Sequence, residues 1–316
     1  MKTAFLFPGQ GAQVFGMGAD IAEAYPAAAE IFEKANDVVG YDLCDICFRG
    51  PAEKLNTTKI SQPAIFATSA AILEVLRTEA ATSGIKADVT AGLSLGEYTA
   101  LYAAGVISFE DGIGLVQKRG EAMQAAADAT EGGMVGIIGL EDEKVEQLCE
   151  EAGEGEILRA VNFNCPGQIV VSGSKTACTR AEKLVEKYGA MKAVRLEVAG
   201  AFHTEMMNSA AEALGEALGN CRISEPSNIR IISNIDGDYY ESSGKIAEGL
   251  VKQLTSPLLW QKCMERLLAD GAEKFYEIGP GRVLTGLMRR ISRKTKVVNV
   301  SSLESIKALS ETQNGG

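Results

Sequence analysis

Short apolar runs alternate with helix-forming stretches along nearly all of the 316 residues, and this alternation limits the fold more than any other feature. "TAFLF", "DVTAGL", "IRIISNI" and "KFYEI" read as strands. Between and after them, "FEKANDVVG" ending at Gly40, "PAIFATSAAILEVLRTEAA", "TEMMNSAAEALGEAL" and "VLTGLMRRI" read as helices. The order predicts an α/β fold with a mainly parallel sheet, an α/β-hydrolase-like body. Residues 128–198 follow a different order: strand "GGMVGIIGL", helix "EDEKVEQLCEEAG", two strands joined by a turn over 164–167, helix "KTACTRAEKLVEKYG", strand "AMKAVRLEV". That βαββαβ order predicts a ferredoxin-like small subdomain inserted into the body, which then comprises 1–127 and 199–316. The tail "SSLESIKALSETQNGG" ends polar and is expected to fray.

With 42 acidic against 31 basic residues the net charge is −11, which argues against nucleic acid as the main partner because phosphate neutralisation needs a broad basic surface. No apolar stretch approaches membrane-spanning length. The opening "MKTAFLFPGQ" has its apolar run cut at Pro8 and reads as a first strand rather than a leader. Seven cysteines, an odd count, fit free thiols in a reducing, cytoplasmic setting. Cys44 and Cys47 form a CxxC pair, but no second pair exists and the only histidine is far along the chain, so a helical pair is expected and no metal site. "RRISRKTK", Arg289 to Lys296, is either a docking patch for an acidic partner or the solvated end of a helix.

Gly92-Leu93-Ser94-Leu95-Gly96 matches G-x-S-x-G with an apolar strand before it and helix formers behind it. Flanking glycines leave room for a sharp strand-to-helix elbow that lifts the serine towards the unpaired amides of a helix start. Ser94 is therefore a candidate nucleophile; the other reading is an ordinary serine cap. A neutral hydroxyl needs a base, and His203, in "VAGAFHTEMM", is the only histidine of the chain. Alone it would read as a packing or capping residue. The glycine-rich "FPGQGAQVFGMG" lacks the third glycine of a dinucleotide fingerprint and has Met17 and Gly18 where a phosphate-binding loop needs Lys and Ser or Thr. It remains a tight turn, either structural or a source of an oxyanion donor.

In order along the chain, "FPGQGAQ", "GLSLGEY", "KRGEAMQ", "VNFNCPGQ", "AFHTEMM" and "EIGPGRVLTGL" closely resemble the malonyl-CoA:acyl carrier protein transacylases of type II fatty acid synthesis, from residue 1 to about 300. The resemblance implies that Ser94 becomes malonylated with His203 as its base. It implies that the backbone amides of Gln10 and Leu95 form the oxyanion hole and that Arg119 binds the substrate carboxylate. Without it, Arg119 reads as a surface residue of an amphipathic helix. A guanidinium offers the two-pronged match that a malonyl carboxylate needs and an acetyl group cannot use. Met123, Asn162 and Phe202 are implied as further substrate-binding residues, with Asn164 beside Asn162 in the same motif. Phe202 in the A-F-H tripeptide favours malonyl over branched methylmalonyl. The main-chain carbonyl of Gln253 is implied to orient the histidine in place of a triad aspartate. Arg289 and Arg290 match a basic segment that docks the acidic carrier protein. Leu93 stands where many members carry histidine.

The implied function is ping-pong transfer of malonyl from malonyl-CoA to the phosphopantetheine thiol of an acyl carrier protein, by a monomer needing no metal or other cofactor. Two alternatives stay open: a serine hydrolase on the same elbow, which would release malonate to water, and a non-catalytic acyl-binding module.

Overall fold

In the computed structural model, which describes residues 1–314, nine strands are present among the described residues. They are β1 (Lys2–Phe7), β2 (Val89–Gly92), β3 (Gly132–Ile138), β4 (Leu158–Cys165), β5 (Gln168–Ser174), β6 (Lys192–Arg195), β7 (Arg230–Ile231), β8 (Ala272–Ile278) and β9 (Val297–Val300). Five build a sheet in the order β7-β2-β1-β8-β9, with every neighbouring pair parallel. Its central strand shows why both faces must be covered. Phe5 and Phe7 enter the larger core cluster, whereas Ala4 and Leu6 enter a second cluster on the opposite face with Val89, Ala91 and Trp260. An uninterrupted apolar run is thus the signature of a doubly covered strand.

On the larger-core side lies the helix Thr58–Thr78, buried along most of its length. It begins a turn and a half before Pro63, where the proline suggested a start. The Thr58 amide, one of the orphan donors of a helix end, donates to Gln124 Oε1 at 3.1 Å, so Pro63 sits inside the helix. It packs against the helix Phe109–Asp128. A Cβ on Gly120 of that helix would lie 2.9 Å from the Thr58 carbonyl oxygen, so the glycine sets how closely the two approach.

The remaining four strands form an antiparallel sheet in the order β4-β5-β3-β6, the ferredoxin-like arrangement. One face packs Val135, Ile137, Ile169 and Val171 against the helices Asp142–Gly153 and Lys175–Tyr188. Met134 and Val170, on the other face, join the large core instead. The turn between β4 and β5 is tighter than the sequence suggested, since Asn164 and Cys165 still belong to β4. "IRIISNI" yields only the two-residue β7, and the polar tail is a helix, Leu303–Asn314, anchored by buried Ile306 and Leu309. Residues 315–316 of the expected fraying lie outside the described residues. No helix among the described residues is long and apolar enough to cross a membrane.

β1 and β2 run in register, with Phe7 opposite Gly92. The loops that leave their carboxyl ends, Pro8-Gly9-Gln10 and Leu93-Ser94-Leu95, therefore emerge side by side, where open parallel sheets bind ligands.

Candidate active site

The elbow is built by glycines that no other residue could replace. A Cβ on Gly92 would fall 1.9 Å from the Gly96 carbonyl carbon, one on Gly96 2.0 Å from the Phe7 oxygen, and one on Gly9 2.3 Å from the Leu93 oxygen. This packing drives Ser94 to φ 52°, a left-handed conformation that costs an L-residue about 1–2 kcal/mol. Asn234, just beyond β7, braces the elbow twice: its Oδ1 accepts from the Ser94 amide at 2.7 Å and its Nδ2 donates to the Gly92 carbonyl at 2.7 Å. Leu93 lines the cavity and packs against the second core cluster, and its carbonyl accepts from the Gly96 amide at 2.9 Å.

Ser94 Oγ lies 3.1 Å from His203 Nε2. His203 is buried and also left-handed, at φ 63°. Its Nδ1–H donates to the main-chain oxygen of Gln253 at 2.7 Å, which leaves Nε2 as the acceptor for the serine proton. Burial, and then the nearby Arg119 charge, push the imidazole pKa down to about 4, against a smaller upward pull from the Gln253 carbonyl. The ring is therefore neutral at pH 7.

Arg119 projects from the helix Phe109–Asp128 and is 1% exposed. Its Nη2 donates to Ser94 Oγ at 3.0 Å and to Gln253 Oε1 at 2.9 Å, and its Nη1 donates to Gln62 Oε1 at 2.8 Å. Among the described residues no carboxylate pairs with it directly, and its buried Nε has no partner. Burial pulls the guanidinium below its ordinary pKa. It packs over the Tyr98 ring, 5.6 Å from the centroid.

A cavity of about 470 Å³ opens above Ser94, between the two sheets. The large body contributes Gln10, Met123 and Phe202; the small sheet contributes Met134, Asn162 and Val170. Asn162 Oδ1 is buried without a protein partner, as is Asn164 Oδ1. Among the described residues the amides of Gln10 and Leu95 donate to no protein acceptor, and Gly9 brings the first loop against the second. Ser94, His203, Arg119, Gln253, Gln10, Leu95, Met123, Asn162 and Phe202 are thus brought together. Arg289 and Arg290 are not in the cavity: they are exposed at the end of the helix Val283–Ile291, where Arg290 donates to Gln168 Oε1 at 3.3 Å and to the Pro166 carbonyl at 3.4 Å. Cys44 and Cys47 share the helix Leu43–Arg49, with Cys47 buried. The sequence did not single out Asn234, Gln62, Glu97 or Tyr240. Glu97 falls inside the motif "GLSLGEY" and Asn234 inside the apolar run "IRIISNI", and a polar residue just past a strand of a parallel sheet is the one signal for Asn234.

An α/β body that raises a serine on a strand-to-helix elbow against an imidazole is the arrangement of the serine-dependent acyl-group enzymes. Residues 4–314 match the family described as Acyl transferase domain, and the chain belongs to that family; it is an acyltransferase. It is 43% identical over 312 residues to the malonyl CoA-acyl carrier protein transacylase of Bacillus subtilis (strain 168), covering 98% of this chain and 97% of that one. The protein of the same description from Escherichia coli (strain K12) is 42% identical over 290 residues, 92% of this chain and 93% of its own. Among solved structures, an acyl carrier protein S-malonyltransferase from Vibrio cholerae superposes with a TM-score of 0.93 at 43% identity, covering 98% of this chain and 100% of that one. A malonyl-transacylase solved in complex with its type II PKS acyl-carrier protein gives 0.94 at 39% identity, covering 99% and 100%.

Proposed function

We propose that this acyltransferase moves malonyl from malonyl-CoA to the phosphopantetheine thiol of an acyl carrier protein through a malonyl ester on Ser94. One observation carries the substrate choice: a fully buried guanidinium, without a carboxylate partner among the described residues, stands 3.0 Å from the candidate nucleophile. Such a group discriminates for an acyl chain ending in a carboxylate, because a neutral acetyl group leaves it unmatched.

In the first half-reaction His203 Nε2 takes the Ser94 proton and Oγ attacks the thioester carbonyl. The amides of Gln10 and Leu95 receive the oxyanion. As the carbon–sulfur bond breaks, the imidazolium returns its proton to the leaving CoA thiolate. The carboxylate held by Arg119 offsets the positive field that depresses the imidazole, so the base strengthens once malonyl is bound. The second half-reaction repeats these steps with the carrier thiol as nucleophile and Ser94 as leaving group. Met123, Asn162 and Phe202 shape the acyl and pantetheine pocket, and exposed Arg289 and Arg290 attract the acidic carrier. No step needs a metal or redox cofactor, and the catalyst is proposed to act as a monomer. Seven free cysteines support a reducing, cytoplasmic setting.

Intact-mass analysis tests the proposal. Malonyl-CoA should add one malonyl group to the wild type and none to Ser94→Ala, and holo acyl carrier protein should then remove it. Rapid release of malonate without carrier would establish a hydrolase; bound malonyl-CoA with no mass gain would establish a binding module.

A further inference from the structure

Glu97 follows the elbow on the first turn of the helix Gly96–Ala103 and is 0% exposed; its backbone amide donates to the Ser94 carbonyl at 3.1 Å, but its carboxylate makes no hydrogen bond to Ser94, His203 or Arg119. Its carboxylate is nonetheless fully engaged. Oε2 accepts from Gln253 Nε2 at 2.6 Å and from the Asn234 amide at 3.4 Å, and Oε1 accepts from the Tyr240 hydroxyl. Gln253 serves the site through two different oxygens: its main-chain oxygen holds His203, and its side-chain oxygen holds Arg119.

A carboxamide is nearly symmetric in shape, so packing alone does not choose between its two flipped orientations. Here the choice matters. Flipped, its NH2 would face the Arg119 guanidinium, donor against donor, and its oxygen would face Glu97 and the Ser94 carbonyl, acceptor against acceptor. The Ser94 carbonyl accepts from Nε2 at 3.2 Å, a longer contact than the 2.6 Å bond to Glu97. We propose that Glu97 is a positioning residue that locks the Gln253 side-chain amide and thereby aims the Arg119 guanidinium at a carboxylate-bearing acyl group. The assignment rests on the malonyl reading above.

Because His203 relies on the main-chain oxygen of Gln253, loosening the side-chain amide should impair carboxylate recognition and spare acyl transfer as such. That split separates positioning from a merely structural role. Ser94 acylation by malonyl-CoA and by acetyl-CoA would be measured in full-length Glu97→Met and Glu97→Gln. Glu97→Met keeps the volume and deletes the acceptor; it should raise the malonyl-CoA KM about tenfold while acetyl-CoA kcat/KM stays within about threefold. Glu97→Gln should restore the malonyl-CoA KM to within about threefold of wild type, since its amide oxygen accepts from Gln253 and its amide NH2 donates to the Tyr240 hydroxyl. Equal losses on both thioesters, or a Gln variant as impaired as the Met variant, overturn the proposal. If Glu97→Met shows no cooperative melt, Tyr240→Phe decides: a malonyl-specific rise in KM supports the role, and an unchanged KM overturns it. Arg119→Ala in parallel separates the two levels, because an unchanged malonyl-to-acetyl ratio there removes the malonyl reading itself.

Discussion

Arg119 keeps its charge away from water because three fixed oxygens, those of Gln62, Gln253 and Ser94, share it. Those oxygens lie in different directions from a planar fork, and a single ammonium cannot reach all of them. Arg119→Lys is therefore expected to lower kcat/KM for malonyl-CoA by roughly 100-fold, about 2.7 kcal/mol, with a much smaller effect on acetyl-CoA. Comparing the two thioesters on one preparation checks this, and a lysine enzyme with wild-type selectivity would refute the bidentate role. The same residue marks where the sequence stops being informative. Ser94 and His203 were legible because one sits in a local motif and the other is the only imidazole. Arg119 alone reads as solvated, because helical periodicity does not say that a second helix crosses at Gly120 and covers it. Glu97 falls inside the motif "GLSLGEY", but the sequence shows no role for it, because its partners Asn234 and Tyr240 lie 137 and 143 residues away.

The elbow works only as a unit of β1, β2 and the loop after β7. Asn234 pairs with two backbone groups of that turn, the buried Gly92 carbonyl and the half-buried Ser94 amide. Asn234→Ala should cost about 1–3 kcal/mol of stability, chiefly the penalty of leaving the buried Gly92 carbonyl without its donor. It should also slow Ser94 acylation more than tenfold, roughly 1.4 kcal/mol or more, as the strained φ relaxes. Denaturant titration and the acylation rate read the two effects. Loss of stability with full acylation would mean that the strain is held by the glycines alone. The elements themselves were largely legible, because parallel strands buried on both faces leave apolar runs. β7 was overestimated for a physical reason. Beyond Ile232 the backbone turns away from the ladder, with the Ser233 amide donating to the Asp238 carbonyl at 2.8 Å and the Gly237 amide to the Ser233 carbonyl at 3.0 Å. The run "IRIISNI" is apolar enough for a strand, but its last residues serve the site.

At the scale of the whole molecule, two buried groups on either side of Gln253 make stability depend on pH in opposite senses. His203 has its pKa lowered from 6.5 to about 4 by burial and by Arg119, so between those values the unfolded chain binds the proton and the folded chain does not. Its contribution to stability is lost as the pH falls through that window. Glu97 has its pKa raised from 4.5 to about 7, chiefly by burial, with its hydrogen bonds and Arg119 pulling the other way. Between 4.5 and 7 the folded chain therefore holds the proton, and stability rises as the pH falls. Each difference of a full proton gives a slope of about 1.4 kcal/mol per pH unit, so from pH 6.5 to 5 the two nearly cancel. Glu97→Gln leaves His203 unopposed. Relative to wild type, its unfolding free energy should fall more steeply on acidification over that range, by about 1 kcal/mol per pH unit. His203→Ala should diverge from wild type in the other direction by a similar amount. Urea titrations of the three proteins at half-unit intervals measure the differences, in which the other carboxylates drop out. Three parallel curves would mean that neither group titrates in the folded protein as its burial requires.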